Sequence, residues 1–198
     1  MVLTLDDYQE AAAILGCDLP SIIAVARIES NGEPFIAEGY PTILFEGHVF
    51  WSELKKAGED PAVLLAEHPD LENVLYRKWT KKYYRRGMGE YERLDKAASV
   101  NEGAALRSAS WGAFQIMGFN CGQCGYDDVF SFVDDMKASV KYHLLAFCRF
   151  MQANNLVHYV NSHDWAGFAR RYNGPGYAKN RYDTLLAQEY DRAKTKYA

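Results

Sequence analysis

The chain has 198 residues, 48% of them hydrophobic and 24% charged, with a formal net charge of −4. That length fits a single domain over residues 1–198, able to bury a sizeable core. The acidic balance argues against a nucleic-acid partner, which calls for a basic surplus, and no apolar run is long enough for an integral membrane segment.

The chain opens M-V-L-T-L-D-D-Y-Q-E, acidic at once and without a basic n-region. It therefore reads as made in the cytoplasm without a secretory signal, with work elsewhere needing release or delivery. Residues 4–15 form a first helix, in which Thr4 and Asp7 resemble a capping box and Gly16 ends the run. Residues 20–32, P-S-I-I-A-V-A-R-I-E-S-N-G, form a second, with Pro20 at its first position and Asn31-Gly32 as a left-handed end. Ile22, Val25, Ala26 and Glu29 share one face of it, which sets a carboxylate at the end of an apolar stripe. Two readings of Glu29 follow. It lies at the stripe's edge and points to water, or burial and the negative helix end together keep it protonated, as a general acid requires.

Residues 33–40 show no period and read as a loop leaving this glutamate, and residues 42–45, T-I-L-F, read as a short strand. Glu46-Gly47-His48 leads into a helix that Gly58 stops, and Asp60-Pro61 caps another over 62–67. Residues 71–89 are the least regular stretch and make a small basic lobe. Here Arg77, Lys78, Lys81, Lys82, Arg85 and Arg86 interleave with Trp79, Tyr83 and Tyr84. The lobe is either a solvated surface or a cationic, aromatic wall for an anionic polymer. An amphipathic helix over 90–100 and an Asn-capped one over 101–108 precede S-W-G-A-F-Q-I-M-G at 110–118. In that turn Gln115 stands among apolar residues and must find a partner or face a cleft.

Residues 127–154 carry the longest helical period, through Val133, Met136, Val140, Leu144, Phe147 and Met151, and predict a long central helix. His163-Asp164 opens a helix that stops at N-G-P-G-Y, a cluster larger than a helix stop needs, with Tyr172 and Asn173 at its edge. Residues 181–196 close the chain as an amphipathic helix, whose Arg192, Lys194 and Lys196 read either as a contact for an anionic outer membrane or, chiefly, as an ordinary solvated face. Of the four cysteines only Cys121 and Cys124 have suggestive spacing, and one C-x-x-C with no nearby histidine is weak support for zinc.

Three stretches in order, I-E-S-N-G at 28–32, S-W-G-A-F-Q-I-M-G at 110–118 and R-Y-N-G-P-G-Y at 171–177, resemble the lysozyme superfamily near goose-type lysozymes and soluble lytic transglycosylases. With I-L-F-E-G-H-V-F at 43–50, the chain is most similar to the N-acetylmuramidase domain of bacteriophage endolysins, from about residue 19 to 190. The resemblance implies a mainly α, lysozyme-like fold with at most a small β element near 42–46. It also implies cleavage of the β-1,4 bond between N-acetylmuramic acid and N-acetylglucosamine in peptidoglycan glycan strands, by a monomer without cofactor or metal. Glu29 then matches the catalytic acid. Ser110, Gln115 and Met117 match the motif bordering the sugar at the scissile bond, and Tyr172 and Asn173 face the glutamate across the cleft. Glu46, with Glu38 behind it, is the candidate second carboxylate, acting as a nucleophile, as a base for water, or only in orienting His48. Two other readings remain: a lytic transglycosylase forming anhydromuramic products, and a cell-wall-binding module without turnover.

Overall fold

Capping chemistry sets the first two helices. In the computed structural model, which describes residues 2–30 and 32–197, α1 runs Leu5–Leu15 with the Thr4–Asp7 capping box closed in both directions. Gly16 ends it in the left-handed conformation, at φ 62°. α2 runs Leu19–Glu29, and Asp18 caps it by accepting from the Ser21 N–H at 2.7 Å. Pro20 therefore stands second in the helix, not first. The expected left-handed end also differs: the helix stops at Glu29, Ser30 is extended, and Asn31 lies outside the described residues.

Residues 33–40 are not a plain loop. β1 (Phe35–Ala37) pairs antiparallel with β2 (Tyr40–Pro41), and Gly39 takes the φ of 73° that so tight a turn needs. Lacking alternation, and with Pro34 in front, this hairpin leaves no strand pattern to read. β3 (Ile43–Phe45) confirms the short strand, but it is one of three: β4 (Ala109–Trp111) and β5 (Ile116–Met117) complete an antiparallel sheet in the order β3-β4-β5. Leu44 faces Ser110, and Ser110 faces Met117. The β content thus exceeds one element near 42–46, while both sheets stay small.

α3 (Gly47–Lys56) and α4 (Pro61–Glu67) follow, the latter capped by the Asp60 carboxylate. After a 3₁₀ turn at Pro69–Asn73 the chain stays irregular until α5 (Met88–Arg107). α5 breaks at Asn101, whose side chain caps the second half by accepting from the Ala104 N–H at 2.9 Å. The two expected helices are therefore there, nearly end to end.

The long helix over 127–154 is a correction. It is two helices, α6 (Val129–Ala138) and α7 (Val140–Ala153), parted by an extended Ser139. The apolar period runs on across the break, so only a cap-type serine marks it. α7 takes the central place, with Leu144, Ala146, Phe147, Cys148 and Met151 buried and α1, α6 and the 3₁₀ turn at Gly118–Cys124 packed against it. Two short pieces that the pattern did not predict, α8 (Val157–Asn161) and a 3₁₀ turn at Tyr177–Asn180, flank α9 (Trp165–Tyr172). α10 (Tyr182–Tyr197) lies along α2, where Glu189 accepts from Arg27 at 2.5 Å and holds the two helices together. No single helix among the described residues is long and apolar enough to cross a membrane.

Candidate active site

α2 carries its carboxylate into the protein. Ser21 through Ala26 are all buried, so the helix is enclosed on nearly every side, and Glu29 at its last position is only 6% exposed. One oxygen, Oε2, accepts from the Asn173 amide at 3.0 Å. The other, Oε1, is buried and has no protein partner among the described residues. Burial pushes the Glu29 pKa up to about 7, and the Asn173 hydrogen bond pulls the other way without cancelling it. The negative end of α2 acts in the same upward direction as burial.

Asn173 is held for this contact by α9. That helix begins at Asp164, whose side chain accepts from the Gly167 N–H at 2.9 Å, and ends with the Asn173 N–H bonded to the Ala169 carbonyl at 2.8 Å. Its own Oδ1 is likewise buried and unpartnered among the described residues. Tyr172 stacks against Phe168 at 5.7 Å and meets Phe147 edge-on at 5.6 Å. Burial, and then the Glu29 charge, raise its pKa, so the phenol stays neutral beside the glutamate. A cavity of about 320 Å³ beside Tyr172, lined also by Phe150, Asn154, Leu156 and Arg171, is not lined by Glu29.

Gln115 resolves the choice between partner and cleft. At φ 49° it turns β4 into β5, its amide donates to the Thr42 carbonyl at 3.0 Å and the Gly112 carbonyl at 2.8 Å, and its oxygen accepts from the Ser110 hydroxyl at 2.7 Å. The side chain is spent on the protein. Thr42 also donates its N–H to the Pro34 carbonyl at 2.9 Å and its hydroxyl to the Glu33 carbonyl at 2.5 Å, so the chain leaving Glu29 is stitched to the Gln115 turn. Met117, half-buried, pairs with Ser110 across β4 and β5.

Sequence reasoning missed the support beneath this turn. The buried His143 accepts from the Ala113 N–H through Nδ1 at 3.1 Å and donates from Nε2 to the Met136 carbonyl at 2.7 Å. Burial lowers its pKa, so the ring is neutral, as an accepting Nδ1 requires. A Cβ on Gly112 would lie 2.5 Å from that nitrogen. His143 sits inside an apolar helical period, and nothing local distinguished it.

Glu46 has its own set of partners. It is the residue before α3, and both its oxygens accept from the Tyr84 hydroxyl, at 2.7 and 2.8 Å, with His48 Nδ1 3.3 Å away. Among the described residues no hydrogen bond links it to Glu29. Beside it is a buried ion pair, Arg93 to Glu90 at 2.8 Å. Arg93 also donates to the Phe45 carbonyl at 2.9 Å, and Glu90 accepts from the Phe45 N–H at 3.1 Å and from the Arg85 N–H. Tyr84, Glu90 and Arg93 were not singled out from the sequence for any role here, because their partners are up to 48 residues distant. Glu38 is exposed at the β1–β2 turn. All four cysteines are free, and burial pushes Cys124 up to about 12, which leaves it an inert thiol. No group of three or more His, Cys, Asp or Glu among the described residues is arranged to hold a metal.

A model of the N-acetylmuramidase family matches residues 18–194. Among solved structures the chain is similar to the crystal structure of Burkholderia AP3 phage endolysin. The two are 41% identical with a TM-score of 0.88, over 98% of this chain and 72% of that one. No curated protein matches.

Proposed function

The chain belongs to the N-acetylmuramidase family and is a glycoside hydrolase of that kind, and from this premise we propose that it hydrolyses the β-1,4 bond between N-acetylmuramic acid and N-acetylglucosamine with Glu29 as general acid. One observation carries the assignment: a buried carboxyl whose pKa is raised to about 7, with one oxygen held by Asn173 and the other uncommitted. At neutral pH such a group arrives with its proton and can give it to the glycosidic oxygen as an oxocarbenium-like centre develops on the muramic sugar. Asn173 fixes the carboxyl plane, so the proton is presented in one direction.

Around it we assign Ser110, Gln115 and Met117 to the floor under the scissile bond, Ser110 and Gln115 by shaping it and Met117 by contact. Tyr172 backs the wall that carries Asn173. The bifurcated bond from Tyr84 favours a holding role for Glu46 over that of a nucleophile, because an attacking carboxylate would have to give up that partner. The likeness to a phage endolysin supports a protein that meets peptidoglycan after release or delivery. Residues 1–198 are read as one catalytic domain, since the buried apolar residues form one continuous core.

Mass spectrometry of peptidoglycan digested by wild type and by Glu29→Gln tests the proposal. Wild type should leave muramic acid at new reducing ends, and Glu29→Gln should lose at least a thousandfold in rate. Anhydromuramic ends would make the enzyme a transglycosylase, and equal digestion by the variant would remove Glu29 from the chemistry.

A further inference from the structure

The irregular segment at residues 77–86, R-K-W-T-K-K-Y-Y-R-R, contributes six of the chain's 22 Lys and Arg and none of its 26 Asp and Glu. Its inner side is fastened. Tyr84 donates to Glu46, Tyr83 to Glu72, and the Arg85 N–H to Glu90, while Lys82 and Arg85 make ion pairs with Glu72 and Glu92 at 3.3 and 3.2 Å. Its outer side is not neutralised. Arg77, Lys78, Lys81 and Arg86 are exposed and form no ion pair among the described residues, and Trp79 between them is 59% exposed. Lys81 Nζ stands 5.7 Å from the Trp79 ring and covers one face of it.

We propose that the 77–86 segment is a docking surface for an anionic membrane, its cations meeting lipid phosphates and Trp79 entering the headgroup layer. Crowded like charges repel, and a solvated surface of a protein with net charge −4 relieves this by interspersing acids; Glu72 and Glu92 do so for Lys82 and Arg85, but no acid pairs with Arg77, Lys78, Lys81 or Arg86 among the described residues. A plane of phosphates relieves it instead, with each cation near the surface strengthening binding about fivefold. An exposed indole flanked by cations is the composition that a membrane interface selects. A glycan chain would account for the cations through its carboxylates, but Lys81 leaves it only one of the two indole faces to stack on. The basic residues near the C-terminus make a poorer candidate: Arg192 is paired with Glu189, and Asp191 stands among them.

Co-sedimentation with vesicles tests this, using phosphatidylglycerol mixed with phosphatidylcholine against phosphatidylcholine alone. Wild type should bind the anionic vesicles only, and lose them in high salt. Lys78→Gln with Lys81→Gln should weaken that binding roughly twentyfold, and Trp79→Ala should abolish the blue shift in tryptophan emission on binding. Lys194→Gln with Lys196→Gln, which removes the same charge elsewhere, should change binding less than threefold. All variants should keep the wild-type melting temperature and turnover on lipid-free peptidoglycan. Absence of a preference for anionic vesicles, or equal losses in the two double variants, would overturn the proposal. So would a loop variant that binds vesicles normally but holds lipid-free peptidoglycan less well, since the segment would then be a glycan contact.

Discussion

Burial and charge compete at Glu29, and pH decides between them. The folded protein holds this proton up to about pH 7, whereas an unfolded chain releases it near 4.5, so the folded state binds more protons in that window. Stability therefore falls as pH climbs from 4.5 to 7, and above 7 the accumulated loss is on the order of 3 kcal/mol. Glu29→Gln removes this titration: it should melt higher than wild type at pH 8, and with the wild type at pH 4, in scanning calorimetry. With Glu29 as the proposed general acid, activity should decline on the alkaline side with a midpoint near 7. Asn173→Ala takes away the one hydrogen bond that lowers this pKa. Its kcat/KM profile should show the alkaline limb moved upward, with kcat reduced roughly ten- to hundredfold by loss of orientation. Both residues were legible in the sequence: Glu29 as a carboxylate on an apolar stripe, Asn173 because the N-G-P-G cluster exceeds what a helix stop needs. The bond between them spans 144 residues, and no periodicity reports such a distance.

At the scale of elements, the β4–β5 turn is fixed to its surroundings from two sides, by Gln115 to Thr42 and by His143 to Ala113. Gly112→Ala would force a side chain onto φ 68° and onto the His143 ring, and should cost about 3 kcal/mol or more in denaturant unfolding. Gln115→Leu removes the acceptor at 2.7 Å for the Ser110 hydroxyl and one of the two donors to each of the Thr42 and Gly112 carbonyls, which keep the Gly112 and Gln115 N–H groups. It should cost about 2–4 kcal/mol while raising KM less than a direct sugar contact would. A Gln115→Leu protein with wild-type stability and a greatly raised KM would return Gln115 to the cleft. The turn was legible as a polar residue among apolar ones, but not the direction in which its amide is spent. Likewise the 127–154 pattern located the core helix yet missed Ser139, because α6 and α7 keep one apolar register across the break.

Across the molecule, α2, the helix that carries Glu29, is enclosed by long-range pairs. α10 lies on α2 through Glu189 and Arg27, and Arg93 with Glu90 ties β3 to α5 and to the 3₁₀ turn at Pro69–Asn73. Arg93→Met would leave Glu90 buried without its counter-charge and should destabilise by about 3–5 kcal/mol in urea unfolding, whereas replacing both partners with apolar residues should cost much less. Individual helices were legible because caps and periods agree along most of the chain, and the fold class was legible through the resemblance that the ordered motifs carry. Pairings such as Tyr84 with Glu46 were not, since each joins side chains whose local contexts say nothing of one another. In the proposed mechanism the whole arrangement brings one protonated carboxyl, that of Glu29, to the substrate. A carbon-13 NMR titration of the Glu29 carboxyl tests that most directly. The midpoint should fall near 7, with the resonance missing from Glu29→Gln, and a midpoint at the ordinary glutamate value of 4.5 would contradict a proton held by burial.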